Sequence, residues 1–411
     1  MAVVKPFKCL RPNKQVVSKV AALPYDVYSR KEALEVVRKE NLSFLKIDRP
    51  ETSFDDSVDT YDDRVYLKAN EILDSMIADG TFEEDSSECY YLYELIMNGR
   101  SQTGLVACVS IDDYLNGIVK KHENTVASKE IDRIKHVDTC SAQTGPIFLA
   151  YRAKKNIDNL VEKTKLTDTL YDFVAEDGVI HRVWKIDDLN SIYIIGKEFE
   201  KMDSIYIADG HHRAASAVKA GLKRREENPD FTGKEEFNYF LSVIFPGEQL
   251  EIMDYNRVVT DLNGYSESQF IKQIKLAFDV KKSSVSPYKP ESKGKIGMYL
   301  AGAWYELKAK STIMSKDEVD GLDVSLLQNH LLDPILNIKN PRTDSRIGFV
   351  GGIRGLSELE KRCSEDMTVA FAMYPTGIEE LFSVADAGRL MPPKSTWFEP
   401  KLRSGIFIHR I

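Results

Sequence analysis

The stretch Ser204 to Ala217, SIYIADGHHRAASA, constrains the fold more than any other part of the chain. An apolar run of strand character ends at Asp209-Gly210, and an alanine-rich run, good helix material, follows at once. A strand that passes through one glycine into a helix belongs to an α/β framework. His211, His212 and Arg213 then occupy the first helical turn, where backbone N–H groups lack intrahelical partners and the dipole is positive. Gly210 lets the backbone turn sharply and approach a ligand closely. Arg213 offers a planar donor fork for phosphate, and an imidazole donates hydrogen bonds or protons near neutral pH. Asp209 is placed to cap the helix, to hold an imidazole in one tautomer, or to ligate Mg2+. A plain turn and cap would explain Asp-Gly before a helix. It does not explain two of the chain's seven histidines side by side before an arginine.

At 411 residues the chain exceeds the usual single core, so two domains are expected. Apolar residues at helical spacing mark 30–40 and 60–80, the second ending at a glycine stop. SFLKID (Ser43 to Asp48) reads as a short strand. ECYYLYELIMNGRSQTGLVACVSI is a hairpin turned by Asn-Gly. A helix is expected near 154–173, then strands at VIHRVWKI, SIYIIGK and NYFLSVIFP. Helical SQFIKQIKLAF and polar KKSSVSPYKPESKGK change the character of the chain, so the boundary is placed at 262. The expected class is α/β (α+β mixed): a core domain at 1–262 and a smaller C-terminal α+β domain at 263–411. The latter holds a hairpin at MYLAGAWYELK and a helix near DVSLLQNHLLDPIL.

A formal charge of −8 opposes a large nucleic-acid footprint, since that affinity comes from phosphate neutralisation by Lys and Arg. The run LKRRE is a solvated helix face. Five scattered cysteines without a CxxC pair argue against a disulfide framework or zinc site. No apolar run reaches the roughly 18 residues of a membrane span, and the first residues lack the apolar core of a secretory signal. A cytoplasmic, membrane-free location is therefore expected; oligomeric state is not legible.

SIYIADGHHRAASA resembles the signature of the ParB/sulfiredoxin-like fold, in which a Gly-x-[His/Arg]-Arg segment opening a helix holds a phosphate. The whole chain also resembles a bacterial and archaeal family of this length catalogued as a domain of unknown function. The matching stretches are LRP, LPYDV (Leu23 to Val27), HENT (His122 to Thr125) with Asp132-Arg133 downstream, ADGHHRAASA, YNRVV, FVGGIRG and MPPKSTWFEPKLRSG. Three chemistries within the wider fold are separable. Sulfiredoxin-like repair needs a cysteine where His211 stands. ParB-like proteins bind CTP and DNA with Glu-Arg-Arg in place of His211-His212-Arg213, and carry a helix-turn-helix not seen here. The third is a kinase for free serine, whose motif is similar to DGHHR and whose base is a carboxylate in a Pro-x-Glu segment. LPYDV is similar to that segment and places Asp26 at the position, one methylene shorter, with Asp48 and Glu51 in reserve.

The resemblance thus implies a ParB/sulfiredoxin-like core and a small-molecule kinase. It would transfer phosphate from ATP, ADP or pyrophosphate to a hydroxyl amino acid, preferentially L-serine, giving O-phosphoserine. Gly210, His211, His212 and Arg213 would hold the phosphate. Asp26, Asp209, His211 and His212 would form the catalytic set, and Asp209, with Glu123, would hold Mg2+. Phosphoryl transfer needs donors around the migrating group and a base for the hydroxyl proton; no Walker A or protein-kinase glycine loop is present. The alternative is a non-catalytic regulator that senses a nucleotide or phosphometabolite; a DNA-associated factor comes third. His122, Glu123 and Arg133 are candidates for the same pocket, against the simpler reading of an ordered loop with an ion pair. Arg354 in FVGGIRG fits an anion nest or a tight turn. Lys394 in MPPKSTWFEPK fits a substrate-closing segment or a packed strap. His136, His181, His330 and His409 are treated as structural.

Overall fold

The computed structural model describes residues 1–411, a mixed α/β chain in two compact units. Met1–Leu250 with Pro400–Ile411 form the first and Glu251–Glu399 the second. The division differs from the boundary at 262 because the strand Tyr255–Val259 pairs with Ile347–Gly351 and Val369–Ala372. At the other end Ile408–Arg410 pairs with Cys9–Pro12 and Ala142–Gln143, which places the last residues in the first unit.

The first unit is built on a nine-stranded mixed sheet, ordered Val119–Lys120, Ile205–Asp209, Ile147–Tyr151, Tyr239–Pro246, Arg100–Ser110, Tyr90–Met97, Ile180–Ile186 and Tyr171–Val174, with Val4–Lys5 added on Arg100–Ser110. The Asn-Gly signal forms the expected hairpin: Asn98 and Gly99 both adopt positive φ, 52° and 78°, between Tyr90–Met97 and Arg100–Ser110. Fully buried Leu92, Val109, Ile205, Ile207 and Ile244 make the main core with the alanine face of the helix His211–Glu227. The helix Asp63–Ala78, capped by the Asp62 carboxylate, buries Val65, Ala69, Leu73 and Met76 at helical spacing. Ala69, Leu73 and Met76 share a second cluster with Phe44 and Leu45.

Two strand expectations fail. SFLKID forms the helical turn Leu45–Asp48, because its apolar run is too short for periodicity to separate strand from buried helix. SIYIIGK lies inside the helix Leu189–Glu200, where Asp188 caps the Ser191 N–H and Ile195 and Phe199 face the core four residues apart.

The second unit is a six-stranded antiparallel sheet, ordered Phe278–Lys282, Ala303–Ala309, Lys295–Leu300, Val369–Ala372, Tyr255–Val259 and Ile347–Gly351. Its core holds Val258, Trp304, Val350, Ala370 and Ala372. The glycines of FVGGIRG serve close approach: a Cβ on Gly351 would lie 2.7 Å from the Trp397 ring and one on Gly352 2.5 Å from Asp254. No helix is long and apolar enough to cross a membrane.

Candidate functional site

The strand Ile205–Asp209 runs into Gly210, which at φ +94° forms the N-cap of the helix His211–Glu227. That left-handed turn strains any residue with a Cβ. A Cβ would also meet Arg213 Nε at 3.0 Å, since the guanidinium folds back over the glycine and donates to Pro146 O at 3.0 Å. No side chain caps this helix. The capping role open to Asp209 is therefore not taken; its Oδ2 accepts from Lys401 Nζ at 2.8 Å instead. Burial raises the Asp209 pKa, but the Lys401 and Arg213 cations outweigh it and hold the carboxyl well below the usual range.

The tandem histidines have a use that sequence reasoning did not supply. His211 Nε2 faces the His122 N–H at 3.4 Å, and His212 Nε2 accepts from the Val126 N–H at 3.0 Å. Both rings tie the loop 121–126 to the helix start. As acceptors at Nε2 they carry their proton on Nδ1. The His122 and His211 rings meet edge to face at 4.5 Å. Burial first, then the neighbouring imidazole, drives His211 well below its ordinary pKa; burial takes His122 down to about 4 despite Asp209. Both are neutral at physiological pH.

Beneath Arg213 lies an internal cavity of about 30 Å3, room for a water or two, lined by Tyr25, Asp48, Arg133, Thr144, Ser404 and the Arg213 guanidinium. Asp48 is buried and accepts from Thr144 Oγ1 at 2.8 Å. Arg133 is buried, pairs with Asp132 at 2.9 Å and lies 4.1 Å from the Tyr25 ring centre. Tyr25 and Arg133 also wall a second pocket of about 190 Å3, which contains Asp26, Arg49, Glu51 and Lys129. Asp26 is exposed on the 3-10 turn Tyr25–Val27, while Glu51 is buried against Arg49 at 2.5 Å.

Asp209, Gly210, His211, His212, Arg213 and His122 thus converge, with Arg133 lining the cavity that Arg213 enters. Glu123 stands half-buried on the loop held by the histidines. The Mg2+ expected at Asp209 and Glu123 finds no protein cage: no three His, Cys, Asp or Glu side chains are grouped to hold a metal, and Asp209 Oδ2 is engaged by Lys401. Arg354 and Lys394 belong to the second unit. There the Arg354 side chain is 69% exposed with Glu358 at 4.0 Å. The Lys394 carbonyl accepts from Arg257, and its ammonium lies 5.7 Å from the Tyr255 ring centre. Sequence reasoning missed Tyr25, Thr144, Lys401 and Ser404. Tyr25, Lys401 and Ser404 stood inside quoted motifs; Thr144, before Gly145-Pro146, carried only a turn signal.

A family model described as "Protein of unknown function (DUF1015)" matches residues 4–325. No curated protein matches. Among solved structures, a free serine kinase in complex with AMP is 14% identical, with 74% of this chain and 91% of that one covered and a TM-score of 0.37. SbnI with C-terminal truncation from Staphylococcus aureus is 10% identical, with 72% and 82% covered and a TM-score of 0.40. A conserved hypothetical protein from Pyrococcus furiosus is 15% identical, with 74% and 94% covered and a TM-score of 0.36.

Proposed function

The chain belongs to the DUF1015 family, and from the chemistry of its own site we propose that it is a small-molecule kinase acting on a free hydroxyl amino acid, L-serine first. The observation that carries this reading is the pairing of an uncapped, glycine-opened helix start and Arg213 on one side of Tyr25 with an open carboxylate, Asp26, on the other, the Arg133 guanidinium lining both pockets. The N–H groups of the first helical turn and Arg213 supply donors for the migrating phosphate. Lys401 holds Asp209 ionised beside them and occupies the carboxylate oxygen that would otherwise turn to Arg213. His211 and His212 stand at the start of the same helix and fix the loop that carries His122 and Glu123 beside this donor set.

Asp26 is the better proton acceptor of the two nearby carboxylates. Asp48 is committed to Thr144 and lies beside Arg133, whereas Asp26 makes no hydrogen bond or ion pair. The acceptor's hydroxyl proton passes to an Asp26 oxygen as the hydroxyl oxygen attacks the terminal phosphorus, and the bridging P–O bond breaks to release ADP from ATP, AMP from ADP or orthophosphate from pyrophosphate. A pocket of about 190 Å3 suits an amino acid rather than a larger acceptor. Displacing the Tyr25 ring would join it to the cavity under Arg213, which as it stands admits no phosphate. Mg2+, where used, would enter with the donor's phosphates, because the protein offers no cage for it.

Equilibrium binding and turnover together test this. Arg213→Ala should weaken donor binding at least tenfold, the loss of one charge-assisted donor pair. Asp26→Asn should abolish turnover and leave donor affinity unchanged. Turnover lost in Asp48→Asn but kept in Asp26→Asn would move the base to Asp48. Donor binding without turnover in the unaltered protein would make it a phosphometabolite sensor.

A further inference from the structure

The second unit carries a charge anomaly that the kinase reading does not use. Residues 271–316 contain ten lysines, no arginine and three carboxylates, in a chain whose formal charge is −8. Four of these lysines, Lys293, Lys295, Lys308 and Lys310, line one open groove of about 570 Å3 together with Ser311 and Thr312. Asp279 is the only acid in its lining.

The placement is costly. Lys295 and Lys308 stand directly opposite one another on antiparallel strands, a like-charge pair that destabilises a ladder. Lysines on a sheet edge are commonly explained as protection against edge-to-edge pairing. That account fails here, because Ala303–Ala309 and Lys295–Leu300 are interior strands and the edge strand is Phe278–Lys282. Internal compensation is incomplete. Lys293 pairs with Glu380, and Lys295 reaches Glu306 at 3.5 Å and Glu291 at 3.7 Å. Lys310 donates to the Lys275 carbonyl, which offsets no charge. Lys308 is exposed, with Asp279 opposite it on the edge strand and Lys295 opposite it on the other side, so one acid faces two of the lysines.

We propose that this groove is a second, separate anion site, which takes a linear oligophosphate. Lysine ammonium groups act as mobile point charges toward phosphate and need no fixed bidentate geometry. Ser311 and Thr312 hydroxyls add donors beside the lysines, and Asp279 is the one acid among them. The lining has no aromatic ring on which a base would stack, which separates an oligophosphate from single-stranded nucleic acid. A bound chain of negative charges would remove the Lys295–Lys308 repulsion that the free protein carries.

The test is calorimetric titration of the full chain, at low ionic strength and without metal, with inorganic tripolyphosphate, orthophosphate and a mixed-sequence single-stranded oligonucleotide. Tripolyphosphate should bind more tightly than orthophosphate, with an affinity that falls steeply with added salt. Lys308→Gln with Lys310→Gln should weaken its binding roughly tenfold or more while thermal melting stays cooperative. If that pair loses its cooperative melt, Lys293→Gln with Lys308→Gln serves the same purpose. Tripolyphosphate binding that is undetectable, or unaltered in the lysine variants, overturns the proposal. Equal or tighter oligonucleotide binding, lost in the same variants, overturns the choice of an oligophosphate.

Discussion

At the scale of single residues, the site depends on keeping histidines neutral and one aspartate ionised. His122, His211, His136, His181 and His409 all have pKa values pushed below the ordinary histidine range, burial being the largest cause in each. The unfolded chain takes up protons near pH 6.5 that the folded chain refuses, so stability is full above that pH and falls as pH drops. For His122 the loss extends down to about pH 4 and amounts to about 3 kcal/mol. Melting followed between pH 7 and pH 5 should show a falling midpoint, offset only in part by Asp323, whose carboxyl burial pushes up to about 6 so that it adds stability as pH drops, and His122→Gln should flatten the slope. A midpoint that does not move over this window contradicts the neutral assignment. Lys401→Met tests the other half. It should cost about 1–2 kcal/mol, less than a fully buried pair because the Asp209 side chain is 33% exposed, and it should weaken phosphate-donor binding by releasing Asp209 toward Arg213. The residue identities of this centre were legible in DGHHR and HENT. Their division of labour was not, because acceptor bonds from two imidazoles to the N–H groups of a loop some 86 to 89 residues away leave no local pattern.

At the scale of elements, the strand–glycine–helix unit was the most legible part of the chain, since Asp-Gly punctuates two unlike periodicities. Gly210→Ala should cost about 1–2 kcal/mol for the left-handed backbone. It should also displace Arg213, whose Nε would lie 3.0 Å from the new Cβ, and so weaken donor binding. Gly178→Ala is the control: its φ is +79° and nothing lies within 4 Å of the added Cβ, so melting should fall by a similar amount with binding unchanged. Equal binding in both variants would separate Arg213 from the turn. The elements that were misread share one cause. SFLKID and SIYIIGK are apolar runs of six and seven residues, and each fits a strand until its neighbours are counted. The Asp188 cap and the Ile195–Phe199 spacing settle the second as a helix only when the longer window is read.

At the scale of the molecule, composition suggested two domains, but not that the first closes with the end of the chain. Ile406, Phe407 and Ile408 are fully buried, and the strand Ile408–Arg410 lies between Cys9–Pro12 and Ala142–Gln143. Each large apolar side chain contributes about 1.5–3 kcal/mol on burial, so removal of 400–411 forfeits an amount comparable to a whole domain's net stability. That truncation should abolish cooperative unfolding of the first unit by circular dichroism; a truncated chain that melts like the full one would contradict the division. Strand order across sheets joined from both termini is a long-range property that no window of sequence displays. The central claim, phosphoryl transfer at the Arg213–Asp26 centre, is tested most directly by phosphorus NMR of the purified protein with Mg2+ and L-serine, offered ATP, ADP and pyrophosphate separately. A phosphoserine resonance with one donor, absent in Asp26→Asn and in Arg213→Ala, is the predicted result; no phosphoserine with any of the three donors would contradict it.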